Sequence, residues 1–285
     1  MPPLITTAIE DTLGALARAR QRSLTIGLVP TMGALHAGHI SLIRAARAET
    51  GFVVVSIFVN PTQFEPSEDF HRYPRPFDRD VQVCAAEGVD LIFHPDSGTL
   101  YPVGYQTYVE VHGLEEVLCG ASRLGHFRGV ATIVCKLFNI IQPAVAYFGQ
   151  KDAQQARIIQ QMVRDLNLPL AIQVQPIVRE ADGLALSSRN QYLDANQRRQ
   201  ATVLYRSLEE VRELVNTGQR DAAILVQTMK NRIATAAEAR LDYAAVVDFE
   251  TLKPLERLHG QALVALAVYF GSTRLIDNIL LKVDD

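Results

Sequence analysis

The chain has 285 residues, room for about two domains at roughly 150 residues each. Apolar residues make up 48 % and charged residues 21 %, which supplies a sizeable core and excludes a disordered chain. The balance of 28 basic against 31 acidic residues, net −3, excludes a chain built mainly to hold nucleic acid or an anionic membrane; a small anionic ligand held by a few local cations stays open.

In chain order, Leu24–Pro30 reads as a buried strand that ends at a proline, and Gly38–Thr50 as a helix with Ile40, Ile43 and Ala46 at helical spacing. Val53–Val59 is a β-branched run, the second strand. The stretch Pro61–Pro76 carries Pro61, Pro66, Pro74 and Pro76, but also Phe64, Phe70 and Tyr73. That mixture predicts an ordered loop beside a site, not a flexible linker. Asp78–Glu87 reads as a helix stopped at Gly88, and Val89–Phe93 as the third strand. A long apolar stripe from Val130 to Ile141 predicts a helix stopped by Pro143. Ala144–Phe148 is again a strand and Asp152–Leu166 a helix. Strands alternating with helices predict an α/β fold, a doubly wound parallel sheet with right-handed crossovers.

The pattern changes after about Val178. Helical stretches at Ala195–Val215 and Arg220–Ala237 precede three strand-like runs, Leu241–Val247, Ala262–Phe270 and Leu275–Lys282. Grouped helices followed by grouped strands predict a smaller α+β domain. The boundary falls near Gln175–Pro176, giving domains 1–176 and 177–285.

Three cysteines, Cys84, Cys119 and Cys135, are too few and too scattered for a disulfide framework, and none forms a C-x-x-C pair. The start, Met1-Pro2-Pro3-Leu4-Ile5, lacks the pattern of a secretion signal. The longest apolar runs, Phe52–Val55 with Ile57–Val59, and Ala262–Phe270, fall far short of the roughly 18 residues that cross a bilayer. A soluble, cytoplasmic protein that spans no membrane is expected.

Four segments carry chemistry. Pro30-Thr31-Met32-Gly33-Ala34-Leu35-His36-Ala37-Gly38-His39 lies between a strand and a helix, where open α/β sheets bind ligands. Its glycines permit a tight turn and close approach of backbone to ligand. His36 and His39 are three apart and can share a face. The helix start adds free N–H groups and partial positive charge, which suit phosphate. Alone, an H-x-x-H pair is more often two solvated histidines. No third ligand at a convincing spacing joins them, so no protein-held metal is expected.

Phe148-Gly149-Gln150-Lys151-Asp152-Ala153-Gln154-Gln155 also follows a strand and opens a helix. Asp152 is a candidate N-cap, Lys151 a compact cation for phosphate, and Gln154 or Gln155 both donor and acceptor for a hydroxy acid. Leu186-Ser187-Ser188-Arg189-Asn190, just past the boundary, offers two hydroxyls and a guanidinium to phosphate oxygens and is placed to close over a ligand. Phe58-Val59-Asn60-Pro61-Thr62-Gln63-Phe64 brings the amides of Asn60 and Gln63 to a strand end. Each signal is weak singly. Together they place two His, one Lys, one Arg, two Ser and several amides around one cleft. No serine or cysteine has a base partner, so the inventory fits phosphoryl or nucleotidyl transfer by positioning and charge stabilisation.

These segments, in this order, resemble the pantothenate synthetase (pantoate–β-alanine ligase) family. The matching stretches are PTMGALHAGH (30–39), FVNPTQF (58–64), YPR (73–75), GASRLGHFRGVATIVCKLFN (120–139), YFGQKDAQQ (147–155), DGLALSSRNQYL (182–193) and RLIDN (274–278). The likeness covers essentially the whole chain, and three such motifs in register are highly specific. The first is the family's version of the HIGH signature of a nucleotidyltransferase superfamily. The resemblance implies a Rossmann-like N-terminal domain and a smaller C-terminal lid domain. It implies ATP with Mg²⁺, D-pantoate and β-alanine as small-molecule partners. Pantoate and ATP give pantoyl adenylate, and β-alanine then gives pantothenate and AMP; a homodimer is expected.

By the same resemblance Met32, Gly33, Ala34, Leu35, His36, Ala37, Gly38 and His39 line the ATP site. So do Gly149, Gln150, Lys151, Asp152, Val178, Leu186, Ser187, Ser188 and Arg189. Gln63 and Gln155 hold pantoate, with Gln63 also near β-alanine; Asn60 joins them as a substrate-binding candidate from its place at the strand end. His39 is the family's proton donor, and His36, Lys151 and Arg189 join it as the catalytic set. Attack by a carboxylate needs no proton from the nucleophile, so a charged or hydrogen-bonding His39 acting electrostatically suffices. The chain departs from the family at Gln150, usually Glu, at Leu124, usually Pro, and over Pro76–Asp80. The alternatives are another HIGH-motif nucleotidyltransferase, a non-catalytic nucleotide-binding module and a tRNA-binding protein. The net charge gives the last no support.

Overall fold

The computed structural model describes residues 2–66 and 68–283. The chain runs β1 (Leu4–Thr6), α1 (Ile9–Gln21), β2 (Ile26–Thr31), α2 (Ala37–Glu49), β3 (Phe52–Ile57), α3 (Phe77–Ala86), β4 (Leu91–Phe93) and short α4 (Ser97–Leu100). Short α5 (Cys119–Ser122), α6 (His126–Ile141), β5 (Val145–Gly149), α7 (Ala153–Asp165) and β6 (Ala171–Gln175) follow. The remainder is α8 (Ala195–Gln200), α9 (Val203–Asn216), α10 (Ala222–Ile233) and the strands β7 (Ala239–Asp248), β8 (Gly260–Phe270) and β9 (Thr273–Val283).

Six strands form a parallel sheet in the order β1-β4-β3-β2-β5-β6. Helices α1, α6 and α7 cover one face through Leu16, Val134 and Ile158, while α2 and α3 cover the other through Ile43 and Cys84. This is the predicted doubly wound α/β arrangement. The strand order reverses between β2 and β5, the switch point at which such sheets bind ligands. These two strands pair only at Gly27–Val145 and Leu28–Ala146. Beyond that they part, which opens a cleft above their carboxyl ends.

The second sheet is antiparallel, β7-β8-β9. Strand β8 is apolar on both faces because both are covered. Ala262, Val264, Leu266 and Val268 pack on α9 and α10, while Leu263 and Ala265 join the core of the large sheet. Among the described residues no helix is long and apolar enough to cross a membrane.

The structure adds a strand at each edge of the sheet, one of them with a helix. β1 and α1 lie ahead of the first predicted strand, tied together by a buried Thr6–Thr12 hydroxyl contact of 2.8 Å. β6 pairs with β5 along the other edge. The predicted helix Ala195–Val215 is two helices, α8 and α9, parted at Ala201–Thr202.

Candidate functional site

The turn from β2 into α2 is built by a residue far away in sequence. Gly33 sits at φ +80°, and a Cβ there would meet Asp80 Oδ2 at 2.9 Å, so glycine is required. The buried Asp80 carboxylate accepts the N–H groups of Ala34 and Leu35, both at 2.8 Å. Burial outweighs these bonds and raises its pKa. Those two amides, in the turn ahead of the helix, are therefore occupied and do not face a phosphate. Asp80 lies in α3, so α3 supplies the carboxylate that shapes the 33–35 turn.

His36 and His39 do share a face, and they cap α2 with their rings. His36 Nδ1 accepts the Gly38 N–H at 3.1 Å, and His39 Nδ1 accepts the His36 N–H at 3.3 Å. The rings lie 4.1 Å apart. A ring nitrogen that accepts a backbone N–H carries no proton, so each neutral ring bears its hydrogen on Nε2. Burial lowers the pKa of His36 to about 4, with the Lys151 charge adding to it. Burial lowers His39 to about 3, with His36 and Lys151 adding. At neutral pH both are uncharged rings with an Nε2–H to donate.

Opposite them, β5 ends at Gly149 and a 3₁₀ turn carries Gln150–Asp152 into α7. Lys151 Nζ lies 3.6 Å from Asp152 Oδ1. The predicted capping role of Asp152 is corrected. It occupies the N-cap position, but its side chain makes no cap hydrogen bond. The two glutamines separate cleanly. Gln154 is buried and tied to the main chain of Leu114, Val117 and Cys119. Gln155 lines the cleft.

Asn60 is 1 % exposed, and its amide is used within the protein. Its Nδ2 donates to Gln63 Oε1 and Gly129 O, both at 3.1 Å, and its Oδ1 accepts from Thr62 and Tyr101. Gln63 Nε2 in turn donates to Met32 Sδ at 3.1 Å. Helix α6 comes in tightly here, since a Cβ on Gly129 would lie 2.4 Å from Thr62 O. His126, at the start of α6, donates from Nδ1 to Gln63 O at 2.7 Å, while its Nε2 accepts from Arg123 at 2.9 Å. Burial and the Arg123 charge lower His126 to about 3. Arg123 is paired with Glu68.

The 186–190 loop docks on Asp69 and Tyr73 of the predicted site-side loop Pro61–Pro76. Arg189 makes a two-pronged pair with Asp69 at 2.8 and 2.9 Å. Burial alone would raise the Asp69 carboxyl, but this partner holds it below the ordinary range. Tyr73 Oη and Ser188 Oγ are 3.3 Å apart, and Ser187 Oγ accepts the Arg189 N–H. Leu124, the other departure, is 82 % exposed and lines neither cavity.

A cavity of about 210 Å³ lies over the parted ends of β2 and β5, lined by Met32, His36, Gly38, His39, Asn60, Gln63, Gly149, Val178 and Leu186. A second, of about 260 Å³, extends from it toward Arg123, His126, Arg274 and Asn278. Lys151, Asp152, Gln155, Ser187 and Arg189 line both, so the two form one cleft. Gly33, Ala34, Leu35, Ala37 and Gln150 line neither cavity; Gly33 to Leu35 form the turn beneath it. Sequence reasoning did not single out Asp80, Arg123, His126, Asp277 or Asn278. All but Asp80 lay inside quoted motif stretches, but their partners are remote in sequence.

A cleft of this make-up at the switch point of a doubly wound sheet defines an α/β enzyme for small polar and anionic substrates. Comparison with known proteins is specific. Residues 4–280 match the family model described as pantoate-beta-alanine ligase. The pantothenate synthetase of Moorella thermoacetica is 59 % identical over 95 % of each chain. That of Acetivibrio thermocellus is 52 % identical over 96 % of this chain and 98 % of the other. The crystal structure of the pantothenate synthetase of Thermus thermophilus superposes with a TM-score of 0.92 at 45 % identity, covering 97 % of this chain and 98 % of that one. The pantoate-beta-alanine ligase of Francisella tularensis, solved with β,γ-ATP and β-alanine, gives a TM-score of 0.78 at 35 % identity over 98 % and 97 %.

The chain belongs to the pantoate–β-alanine ligase family. It is a ligase that joins pantoate to β-alanine through an amide bond.

Proposed function

We propose that the reaction runs through pantoyl adenylate in the cleft between β2 and β5. The observation that carries this reading is the convergence of His36, His39, Lys151, Gln155 and Arg189 on one cavity system. A pantoate carboxylate oxygen attacks the α-phosphorus of ATP, and the bond from that phosphorus to the bridging oxygen breaks. Pyrophosphate leaves. The amine of β-alanine then attacks the acyl carbon, AMP departs and the amine loses a proton.

The chain's own groups serve these steps by position and charge. Gln155 and Gln63 hold pantoate, with Gln63 also beside β-alanine. Asn60 and His126 position Gln63, since both bind it directly and have no amide or ring nitrogen left over. Lys151 stabilises the negative charge that develops on the phosphoryl oxygens. The Nε2–H groups of His36 and His39 donate to the same oxygens. Such fixed donors in a dry cleft are worth more than in water and need no reorganisation. A neutral imidazole with its pKa pushed down is a good donor without being an acid. Because Nδ1 is occupied on both rings, neither is set to act as a base. Met32, Gly149, Val178 and Leu186 through Ser188 frame the nucleotide, over the turn that Gly33, Ala34, Leu35, Ala37 and Gly38 build. Arg189 closes from the loop, held by Asp69.

Mg²⁺ fits this donor set as an ion carried on ATP phosphates, with the Asp152 carboxylate the protein group placed to meet it, and it supplies charge neutralisation there. Among the described residues, one His/Asp/Glu group could share an ion, Glu110, His112 and Glu115. It lines neither cavity.

Division into 1–176 and 177–285 is supported by the end of β6 at Gln175. A homodimer is the assembly proposed on the family resemblance. A cytoplasmic setting is supported by three free thiols.

The test is pyrophosphate exchange into ATP by purified protein with D-pantoate and no β-alanine. Pantoate-dependent exchange, with AMP released only on adding β-alanine, is the expected result. Absence of exchange in a folded protein that binds ATP would remove the separate adenylate step.

A further inference from the structure

Two adjacent residues of β9 reach opposite walls of the cleft. Successive strand residues point to opposite sides, and Asp277 and Asn278 face Leu266 and Ala265 of β8 in turn. Asn278 is 3 % exposed. Its Nδ2 donates to the carbonyls of Gln150 at 3.0 Å and Lys151 at 2.9 Å, and its Oδ1 accepts from Gln150 Nε2 at 3.3 Å. The amide has no donor left for a ligand. Asp277, 1 % exposed, accepts both prongs of Arg179 at 2.6 and 2.9 Å, and its Oδ1 also takes the Asn278 N–H at 2.8 Å. Arg179 reaches on to Gly183 O at 3.0 Å. Its backbone bridges to Ala185, and Leu186 N–H donates to Val178 O at 3.0 Å. Arg179 is thus the foot of a hairpin that carries Val178 on one arm and the 186–189 loop on the other.

We propose that Asp277 and Asn278 are a paired positioning device. Asn278 fixes the wall that carries Lys151, and Asp277 fixes the wall that carries Val178 and the closing loop. The proposal rests on the site reading above. The C-terminal strand therefore sets the separation of the two walls, although neither residue offers a free group to substrate. A buried donor pair on two consecutive carbonyls holds the main chain of Lys151 in place, and displacement of a reacting group by about 1 Å costs on the order of a hundredfold in rate.

The test uses the full chain at a temperature where circular dichroism shows every variant folded. Asn278→Ala is expected to lower pantoate-dependent pyrophosphate exchange by about ten- to a hundredfold, with the ATP KM changed less than about threefold. Asn278→Ser keeps one donor and is expected to fall between; if Asn278→Ala does not fold, Asn278→Ser is read by the same criteria. Asp277→Asn is expected to show the opposite split, an ATP KM raised about tenfold with kcat nearly kept. In a Lys151→Ala background, Asn278→Ala is expected to cost less than about twofold, because its effect passes through Lys151. Equal losses in both backgrounds overturn the proposal, as do variants that lower only the melting temperature. Full exchange by Lys151→Ala alone would overturn the site reading, and this proposal with it.

Discussion

The backbone of His36 sets the ring of His39: its N–H donates to His39 Nδ1 at 3.3 Å, and the two rings lie 4.1 Å apart. A helix cap thereby fixes two tautomers. In most helices a Ser, Thr or Asp oxygen does this work. Here imidazoles do it, and the nitrogen not used for capping is left as an N–H donor. On the proposed mechanism, capping and charge stabilisation are one arrangement.

That arrangement separates substitutions at position 39. His39→Ala removes a donor and is expected to reduce pyrophosphate exchange by about 10²–10³, the loss typical of one removed oxyanion donor. His39→Gln keeps an N–H near the place of Nε2 and is expected to recover at least about a tenth of the wild-type rate. If Gln is no better than Ala, donation is not what the ring contributes.

Acid sensitivity follows from the same rings. Burial holds His36, His39 and His126 at about 4, 3 and 3 in the folded chain, against about 6.5 when exposed. Between these values the unfolded chain binds more protons. The stability contributed by the neutral rings is therefore complete above about pH 6.5 and lost as pH falls toward 4. Denaturant titrations are expected to show an uptake of about three protons on unfolding near pH 5, roughly 1.4 kcal/mol per proton per pH unit. His126→Asn is expected to cut that slope by about one third. A flat profile from pH 6.5 to 4.5 would show that these rings are not held neutral.

Gly129→Ala tests the contact beneath Gln63. The added methyl meets the Thr62 carbonyl at 2.4 Å, so the turn must move. A loss of about 1–3 kcal/mol in stability is expected from overpacking, with a pantoate KM raised more than the ATP KM. Equal changes in both KM values would separate this contact from Gln63.

Asp80→Ala tests the carboxylate under the 33–35 turn. It leaves two backbone N–H groups without their partner, at about 1–3 kcal/mol each if they remain buried. Exchange is expected to fall with stability, and Asp80→Asn, which keeps one acceptor oxygen, to fall less. Wild-type kinetics in Asp80→Ala would mean that the turn holds itself.

The elements that build the site were legible because they carry strong local signals. β2, β3 and β5 are apolar runs, and the stripe of α6 has helical spacing. Their carboxyl ends are where α/β sheets bind, so the three segments that follow these strands fall on one sheet edge, with the 186–190 loop facing them from past the boundary. β6 gave little signal: Ala-Ile-Gln-Val-Gln is short and, as a partly exposed edge strand, carries two glutamines instead of a continuous apolar run. β1 is three residues long and adds to the sheet beside β4, not beside β2. The second tier was hidden for another reason. Asp80 to Leu35 spans 45 residues, His126 to Gln63 spans 63, and Asn278 to Lys151 spans 127. No local pattern announces such pairs. Asn60 illustrates the converse, an amide in a site motif whose hydrogen bonds serve its neighbours.

The most direct measurement is ¹⁵N NMR of the side chains of His36 and His39, assigned with single His→Gln variants and followed from pH 8 to pH 4. The account predicts that both rings stay neutral to below about pH 5, with a protonated Nε2 and an unprotonated Nδ1 throughout. Titration near pH 6.5, or the Nδ1–H tautomer at neutral pH, would contradict it.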